Sequence, residues 1–412
     1  MEERIYPREK YLKKIRPFYD SDIVKVITGI RRCGKSSILK AIMNELKEKG
    51  KEDRIIYLPL DRRGFKQIKS PDELESKIES YIKDSGFYYL FIDEVQNVKG
   101  FESVILQYEE EGYSIFLTGS NSYLLSDEIS TKLTGRYITF ETYTLDFEEY
   151  IEMKKFYGHK IEDIYAEFNN YITMGGFPKT LQFFDKASQQ LYTKEIIKEI
   201  FNKDVKTRNR VTNVALFERV ESYMINNYAA TFSLKNLYEG IVKNGVSAKL
   251  TTIKKYIELL KKAKIIYECN RFDLKSKSSL SREQKYYLAD LSLYFSTNVN
   301  NNFNFGPSLE NIVYLYLASN GNEISIGKIG NLECDFIIRK PDGDYAYIQV
   351  AYSLQGENSE ATNRIKEREY RPFRSIKDGY PRYIISLDRF RDYQEGVHHI
   401  NAIDLFLGKE KI

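Results

Sequence analysis

Short apolar runs rich in β-branched and aromatic residues alternate with amphipathic segments along the first 145 residues. Helical periodicity separates the first four runs, and such alternation is typical of a parallel sheet covered on both faces. The runs cover residues 23–28, 54–60, 88–93, 113–118 and 136–143. We therefore predict an α/β domain over residues 1–145, with ligands bound at the carboxyl ends of its strands.

The middle of the chain predicts helices and then a mixed segment. Residues 146–212 have helical patterns with polar faces, interrupted by Gly175-Gly176 before Phe177-Pro178. Residues 213–297 predict a helix–turn–helix followed by a two-stranded wing, which is the winged-helix arrangement. The two helices and two strand-like runs are Leu234–Lys243, Thr251–Ala263, Ile265–Leu274 and Lys285–Ala289.

An asparagine-rich stretch, Asn298–Asn304, precedes a change of pattern. The last segment, 298–412, predicts a helix, two strands, a second helix and a further strand. These elements cover Pro307–Ala318, Glu333–Arg339, Tyr345–Ala351, Arg364–Arg374 and Arg382–Leu387. The chain is thus expected to have four domains, 1–145, 146–212, 213–297 and 298–412.

Composition adds limits to this picture. No apolar run approaches the roughly 20 residues that a membrane span needs, and the charged start argues against secretion, so we expect a cytoplasmic protein without a membrane partner. Three cysteines and three histidines without a cluster disfavour a zinc site. The net charge of +4 is small, but residues 231–285 carry 13 Lys+Arg against 5 Asp+Glu.

The first apolar run leads directly into a phosphate-binding loop. Gly29-Ile30-Arg31-Arg32-Cys33-Gly34-Lys35-Ser36 fits the pattern G-x-x-x-x-G-K-[ST] and opens a helical segment with Ser37. Backbone N–H groups of such a loop surround phosphate oxygens, Lys35 reaches the β- and γ-phosphates, and Ser36 holds Mg²⁺. We expect ATP and Mg²⁺ to bind here, with all nine residues from Gly29 to Ser37 contributing.

Two adjacent acids end the third run. Asp93 is expected to hold the Mg²⁺ shell, and Glu94 suits a general base that polarises the attacking water. After the fourth run, a polar residue is expected to sense the γ-phosphate or hold that water. Asn121 is our first candidate for this role, and Ser120 is the second. Asp61, just after the second run, is predicted to face the same edge of the sheet.

Arg136 stands before the fifth run, in Leu133-Thr134-Gly135-Arg136. One hypothesis makes it an arginine finger that neutralises transition-state charge, in cis or from a neighbouring subunit of an oligomer. The other makes it a surface arginine or a member of a structural ion pair.

The strings GIRRCGKSS, FIDEVQ, LTGSNSYLL, LTGRY and LDFEEY together resemble a prokaryotic family of AAA-type ATPases, close to the origin-recognition and STAND ATPases. The resemblance runs over nearly the whole chain. It implies that residues 146–212 form the helical lid over the nucleotide, although a generic helical connector is the alternative. Arg208 and Arg210 of this lid are weaker phosphate-binding candidates. Gln96 also matches the family, and the sequence assigns it no role.

The basic surplus lies on the predicted winged helix, where it indicates binding to a phosphate backbone. The candidate DNA-binding residues are Lys249, Lys254, Lys255, Lys275 and Lys277. Winged helices also serve as protein-docking modules, so an unknown protein partner is the alternative to DNA.

The last segment resembles the core of PD-(D/E)xK nucleases. The resemblance implies a vestigial metal site at Glu310, Asp335 and Gln349, to which Glu333 is a further candidate ligand. The position of the activating lysine is Ala351, so we expect a restriction-endonuclease-like fold with a degraded site. Three functions remain in view: an ATP-hydrolysing switch that repositions the C-terminal domains, a slow-turnover regulator or scaffold that holds ATP or ADP, and an ATP-gated nuclease.

Overall fold

A computed structural model describes residues 4–119, 133–207, 211–243, 245–274, 278–296, 305–390 and 393–412. The chain divides into two compact units. The first comprises Met1–Thr144 together with Lys262–Lys264, and the second comprises Leu145–Lys261 and Ile265–Ile412.

The first unit contains a five-stranded parallel sheet. Its strands are β1 (Val24–Gly29), β2 (Ile55–Pro59), β3 (Tyr89–Asp93), β4 (Ser114–Thr118) and β5 (Tyr137–Thr142). Their order is β2-β3-β4-β1-β5, and every neighbouring pair is parallel. The predicted α/β domain with a parallel sheet is therefore confirmed, and each strand end lies within one residue of its expected position.

Helices cover both faces of this sheet. They are α1 (Glu9–Ile15), α2 (Lys35–Glu48), α3 (Pro71–Glu79) and α4 (Glu102–Glu110), with short 3-10 turns at Arg16–Phe18, Glu52–Arg54 and Val95–Asn97. Side chains alternate along β3, so Phe91 packs with the apolar side of α1 and α2, whereas Ile92 packs with α3 and α4. Burial on both faces explains why the central strands appear as continuous apolar runs.

The remaining helices belong mainly to the second unit. Asp146 and Glu149 form a capping box at the start of the first of them. The helices are α5 (Phe147–Phe156), α6 (Ile164–Met174), α7 (Lys186–Glu199), α8 (Val214–Asn226), α9 (Leu234–Lys243), α10 (Leu250–Lys262), α11 (Ser292–Phe295), α12 (Phe305–Ser319), α13 (Ser359–Arg374) and α14 (Ala402–Phe406), with a 3-10 turn at Pro178–Gln182 and a π-helical segment at Ile200–Thr207.

An eight-stranded mixed sheet forms the centre of the second unit. Its order is β12-β13-β11-β10-β9-β8-β6-β7. The strands are β6 (Ile266–Asp273), β7 (Ser278–Leu288), β8 (Glu323–Ile329), β9 (Leu332–Arg339), β10 (Tyr345–Val350), β11 (Arg382–Ser386), β12 (Tyr393–Gln394) and β13 (Val397–Asn401). The sequence patterns did not predict β8, β12 or β13.

The predicted wing is part of this larger sheet. Strands β6 and β7 pair antiparallel, as a wing does, but β6 also pairs in parallel with β8 through Arg271, Phe272 and Asp273. The predicted domain boundary at 297/298 therefore separates strands that share one sheet. The local change of composition suggested this boundary, but it carries no information on the pairing of β6 with β8, which joins the two segments in one sheet.

None of the helices in the described residues is long and apolar enough to cross a membrane. Cys33, Cys269 and Cys334 are buried as free thiols.

Candidate nucleotide-binding site

The phosphate-binding loop joins the carboxyl end of β1 to the first turn of α2. Gly29 and Gly34 have φ values of 147° and 107°, and Arg32 between them also has positive φ. A Cβ at Gly29 would overlap the carbonyl oxygen of Thr142 on β5 and come within 2.8 Å of the Cys33 sulfur. Position 29 therefore accepts only glycine, because both its backbone conformation and the adjoining strand exclude a side chain.

Lys35 lies inside this loop. Its side chain is buried, and its Nζ donates hydrogen bonds to the carbonyl oxygens of Gly29 at 2.9 Å and Ile30 at 3.1 Å. The first turn of α2 contains no acidic residue. The loop thus combines a lysine ammonium with the N–H groups at a helix N-terminus, which is the arrangement that binds phosphate.

Arg8 supports the loop from the N-terminal segment. It is buried, and its Nη1 donates to the carbonyl oxygens of Cys33 and Tyr143, each at 2.8 Å. It therefore ties the turn of the loop to the residues that follow β5. Sequence reasoning missed Arg8, since it stands 25 residues before Cys33 and belongs to no phosphate-binding pattern.

Asp93 and Ser36 meet at the edge of the sheet. The Ser36 hydroxyl donates to Asp93 Oδ1 at 3.0 Å, and the Thr118 hydroxyl donates to the same oxygen. Burial raises the pKa of Asp93, against the lowering effect of these two hydrogen bonds and together with the nearby charges of Glu94 and Asp61. A cation here would relieve the cost of burying that carboxylate.

These residues fit Mg²⁺ bound together with nucleotide phosphates. A protein site for Mg²⁺ usually supplies one or two oxygen ligands, and phosphates and water complete the shell. Ser36 and Asp93 offer a hydroxyl and a carboxylate at hydrogen-bonding distance from each other. Within the described residues no group of three acidic, histidine or cysteine side chains could hold a metal ion alone.

Glu94 has an unusual backbone conformation. Its φ is 57° and its ψ is 48°, in the left-handed region, and its N–H donates to Thr118 Oγ1 at 3.0 Å. Gln96 Nε2 donates to the Glu94 carboxylate. The structure therefore gives Gln96 a partner that the sequence did not identify: this amide orients the side chain that we expect to act as the base.

Other candidates lie at the same edge or outside the described residues. Asp61 follows β2 and is exposed, at the edge that also carries Asp93. Ser120 and Asn121 lie outside the residues that the structure describes, as do Arg208 and Arg210. Their assigned roles stay predictions.

Arg136 lies at the amino ends of the parallel strands, opposite to the carboxyl ends that carry the loop. It precedes β5, which runs parallel to β1 with Val24 beside Tyr137, so it lies at the amino ends of the strands, whereas the loop lies at their carboxyl ends. Its Nη1 pairs with Glu109 at 2.8 Å and Glu110 at 2.9 Å. The hypothesis of a finger in cis is wrong, because a six-residue strand of roughly 20 Å separates the two ends. A role in trans stays a prediction.

The candidate DNA-binding lysines that the structure describes are exposed. Lys254 and Lys255 project from α10, and Lys249 directly precedes this helix. By contrast, Lys261 further along α10 pairs with Glu258 at 2.9 Å and also with Glu268. Lys275 and Lys277 lie outside the described residues.

The three residues predicted as a vestigial metal site are neighbours in the second unit. The Asp335 N–H donates to Gln349 Oε1 at 3.3 Å. Glu310 on α12 and Asp335 on β9 both face the Nζ of Lys285, at 2.9 Å and 3.9 Å. Lys285 was missed as a member of this group, because it comes from β7 and has no fixed spacing to the other residues.

Comparisons with known proteins agree with the geometry of the first unit. Residues 21–151 match the AAA domain family, and residues 165–302 match a family described as a domain of unknown function. An uncharacterized protein of Haemophilus influenzae is 28% identical over 99% of this chain and 100% of its own length. An uncharacterized protein of Methanocaldococcus jannaschii is 31% identical and covers 86% of this chain and 79% of its own length.

A solved structure shares the fold. It is a Walker-type ATPase of Pyrococcus abyssi, with a TM-score of 0.52 and 17% identity over 71% of this chain and 95% of that one. The AAA-type P-loop fold indicated by GIRRCGKSS and FIDEVQ is confirmed by these matches. The chain belongs to the family of the uncharacterized Methanocaldococcus jannaschii protein, and it carries an AAA domain at residues 21–151.

Proposed function

We propose that this protein binds ATP with Mg²⁺ at the loop of the first unit and hydrolyses it. One observation carries the proposal: the Ser36 hydroxyl, next to the loop lysine, is hydrogen-bonded to the buried Asp93, and Glu94 follows directly. Ser36 comes from the first turn of α2 and Asp93 from the end of β3, and their side chains meet beside the phosphate-binding loop. An accidental glycine-rich turn would require no such convergence.

Each residue has a separate task in this proposal. When ATP binds, the Lys35 ammonium leaves the carbonyl oxygens of Gly29 and Ile30 and donates instead to oxygens of the β- and γ-phosphates. The N–H groups at the start of α2 bind the same phosphates. Ser36 and Asp93 would hold Mg²⁺, which would supply positive charge next to the phosphates. Glu94 accepts a proton from the attacking water, and Gln96 fixes the orientation of its carboxylate.

Phosphate release under steady-state and single-turnover conditions tests hydrolysis. Repeated turnover that depends on Mg²⁺ supports the proposal. The rival reading is a regulator that holds nucleotide and hardly turns over. A single slow turnover, followed by retention of ADP, would establish that reading instead.

We infer DNA association as a second function of the second unit. The exposed Lys249, Lys254 and Lys255 support this inference. Lysines that neutralise DNA phosphates release the counterions bound to the phosphate backbone, and this release favours binding. The logarithm of the affinity for unrelated duplexes should fall steeply and roughly linearly with the logarithm of the salt concentration. Reversal of Lys254 and Lys255 to glutamate should weaken all of them alike. The absence of binding at low salt would favour a protein partner.

We also infer a nuclease-like core in the second unit. The order α12, β8, β9, β10, α13, β11 gives an antiparallel meander of three strands, with β11 added in parallel to β10. Glu310, Asp335 and Gln349 occupy its helix and the two central strands. An experimental structure would test this inference, since a nuclease-like core requires the side chains of Glu310, Asp335 and Gln349 to lie together.

A further inference from the structure

We propose that the ammonium group of Lys285 takes the place of a metal ion in the second unit, so that the Glu310, Glu333 and Asp335 cluster binds no divalent cation. This inference goes beyond the ATPase proposed for the first unit and does not depend on it. It concerns a site for which the nuclease-like pattern alone implies Mg²⁺.

Lys285 is at the centre of the cluster. It is 5% exposed, and its Nζ lies 2.9 Å from Glu310 Oε1, 2.8 Å from Glu333 Oε1 and 3.9 Å from Asp335 Oδ1. One ammonium group therefore faces three carboxylates from a helix and a strand. This is the position in which a cation shared by the same oxygens would have to lie.

Protein donors also bind several oxygens of this site that a metal would need. Asp335 Oδ2 accepts the N–H of Val350 at 2.8 Å, and Gln349 Oε1 accepts the N–H of Asp335 at 3.3 Å. Glu310 Oε1 also accepts the hydroxyl of Tyr287 at 2.8 Å. A divalent ion would have to replace several of these bonds as well as the lysine.

Arg271 supplies a second internal cation. It is buried and pairs with Glu333 Oε2 through Nη2, and with Glu283 at 2.9 Å through Nη1. Lys328 on the neighbouring strand lies 3.6 Å from Glu283. Lys285, Arg271 and Lys328 thus face the three glutamates Glu310, Glu333 and Glu283, so these six charges balance without a metal.

The directions of two pKa shifts agree with these contacts, which carry the proposal by themselves. Burial raises the pKa of Asp335 well above its ordinary value, assisted by the Glu310 charge, so this carboxyl is protonated more readily than a free one. Burial alone would lower the pKa of Lys285, but Glu310, Asp335 and Glu333 raise it above its ordinary value, so the ammonium stays charged.

Ala351 occupies the position of the activating lysine in the nuclease pattern, and its apolar surroundings disfavour a charged side chain. Ala351 is buried in an apolar cluster with Tyr370 and Phe373. The cation in this fold comes instead from β7, where it binds its neighbours directly. Lys285 thereby joins β7 to α12 and β9, which gives the cluster a structural role.

Binding of Mn²⁺ to the full-length, nucleotide-free protein tests the proposal. Electron paramagnetic resonance of free Mn²⁺ counts the bound ions, and Asp335→Asn is the matched variant. Equal binding by the wild type and Asp335→Asn is expected, because the first unit retains its own acids in both. A wild type that binds about one more ion per chain than Asp335→Asn would overturn the proposal.

A second variant tests for a gain of metal binding. Lys285→Met removes the charge and keeps much of the volume, so three carboxylates lose the cation that they share. We expect about one additional Mn²⁺ per chain, lost again in Lys285→Met/Asp335→Asn, while the control Lys377→Met, at an exposed position outside the cluster, binds as the wild type does. A well-folded Lys285→Met without additional Mn²⁺ would contradict the proposal. If Lys285→Met does not fold, the comparison of wild type with Asp335→Asn still decides.

Discussion

Gln96 Nε2 donates a hydrogen bond to the carboxylate of Glu94, two residues earlier in the chain. The left-handed backbone of Glu94 turns the chain so that both side chains meet outside the carboxyl end of β3. The candidate base therefore has its own positioning residue, which contacts neither the loop nor Asp93 in the described hydrogen bonds.

Gln96→Leu should lower kcat for ATP hydrolysis about tenfold and leave KM nearly unchanged, because it frees the Glu94 carboxylate without altering the phosphate contacts. Steady-state phosphate release over a range of ATP concentrations measures both constants. Lys99→Ala, an exposed change after the same turn, is the control. A tenfold rise of KM at constant kcat would place Gln96 in substrate binding instead.

Lys35→Ala should reduce ATP affinity at least about 100-fold, because the variant lacks the ammonium that neutralises the β- and γ-phosphates. Titration with a fluorescent ATP analogue measures the affinity. Lys47→Ala on the exposed side of α2 should bind as the wild type does. Unchanged affinity in Lys35→Ala would remove the basis for placing ATP in this loop.

Glu94→Gln should keep ATP binding and lose hydrolysis about 100-fold or more, because the amide retains the shape of the side chain without its basicity. Binding and single-turnover hydrolysis are measured on the same preparation. Asp61→Asn, at the same edge of the sheet, should retain most activity. Normal hydrolysis in Glu94→Gln would show that another residue accepts the proton.

Asp93→Asn should raise the Tm of the nucleotide-free protein by about 2–4 °C at neutral pH while it weakens Mg²⁺-dependent ATP binding. Burial raises the pKa of Asp93, so stability falls as the pH rises above the ordinary pKa of Asp, and the loss is complete above the raised native pKa. The gain should shrink toward pH 4, where the carboxyl becomes protonated. A lower Tm at all pH values would mean that the carboxylate itself stabilises the sheet.

The buried Lys25, near the amino end of β1, should make the free energy of unfolding depend on pH. Burial lowers its pKa to about 7, although Nζ donates to Ser21 O at 2.6 Å and to Ser114 Oγ at 2.9 Å. Between pH 7 and 10 the unfolded chain binds the proton more tightly, so the free energy of unfolding should rise by up to about 1.4 kcal/mol per pH unit.

Denaturant unfolding of Lys25→Met measures this contribution. The variant should lose the extra slope and be more stable than the wild type at pH 7. The exposed Lys51→Met should keep the slope. An identical pH profile for wild type and Lys25→Met would show that the lysine is not responsible.

Features that depend on neighbouring residues were predictable from the sequence. The loop from Gly29 to Ser36 contains its own spacing, and the strand that ends at Asp93 is a continuous apolar run. The position of Arg136 was also contained in the sequence, since it precedes its strand whereas the loop follows one. Parallel strands place those two positions at opposite edges, and the idea of a finger in cis overlooked this.

Features that depend on tertiary pairing were not predictable. Lys285 reaches Glu310, Glu333 and Asp335 only because β7, α12 and β9 pack together, and its position in the chain gives no such information. Arg8 supports the loop from a segment without any motif. Strand β8 was missed because the short run Glu323–Ile329 contains a glycine and two charged residues.

The parallel pairing of β6 with β8 has a mechanical consequence. A separation of β6 and β7 from β8 and β9 would have to break backbone bonds between Arg271–Asp273 and Ile326–Lys328. A continuous sheet resists such a separation, because the backbone hydrogen bonds between its strands would all have to break together. If ATP hydrolysis moves the second unit, these strands should therefore move together, and probes attached to Asn270 on β6 and Arg339 on β9 should keep a fixed separation throughout the nucleotide cycle.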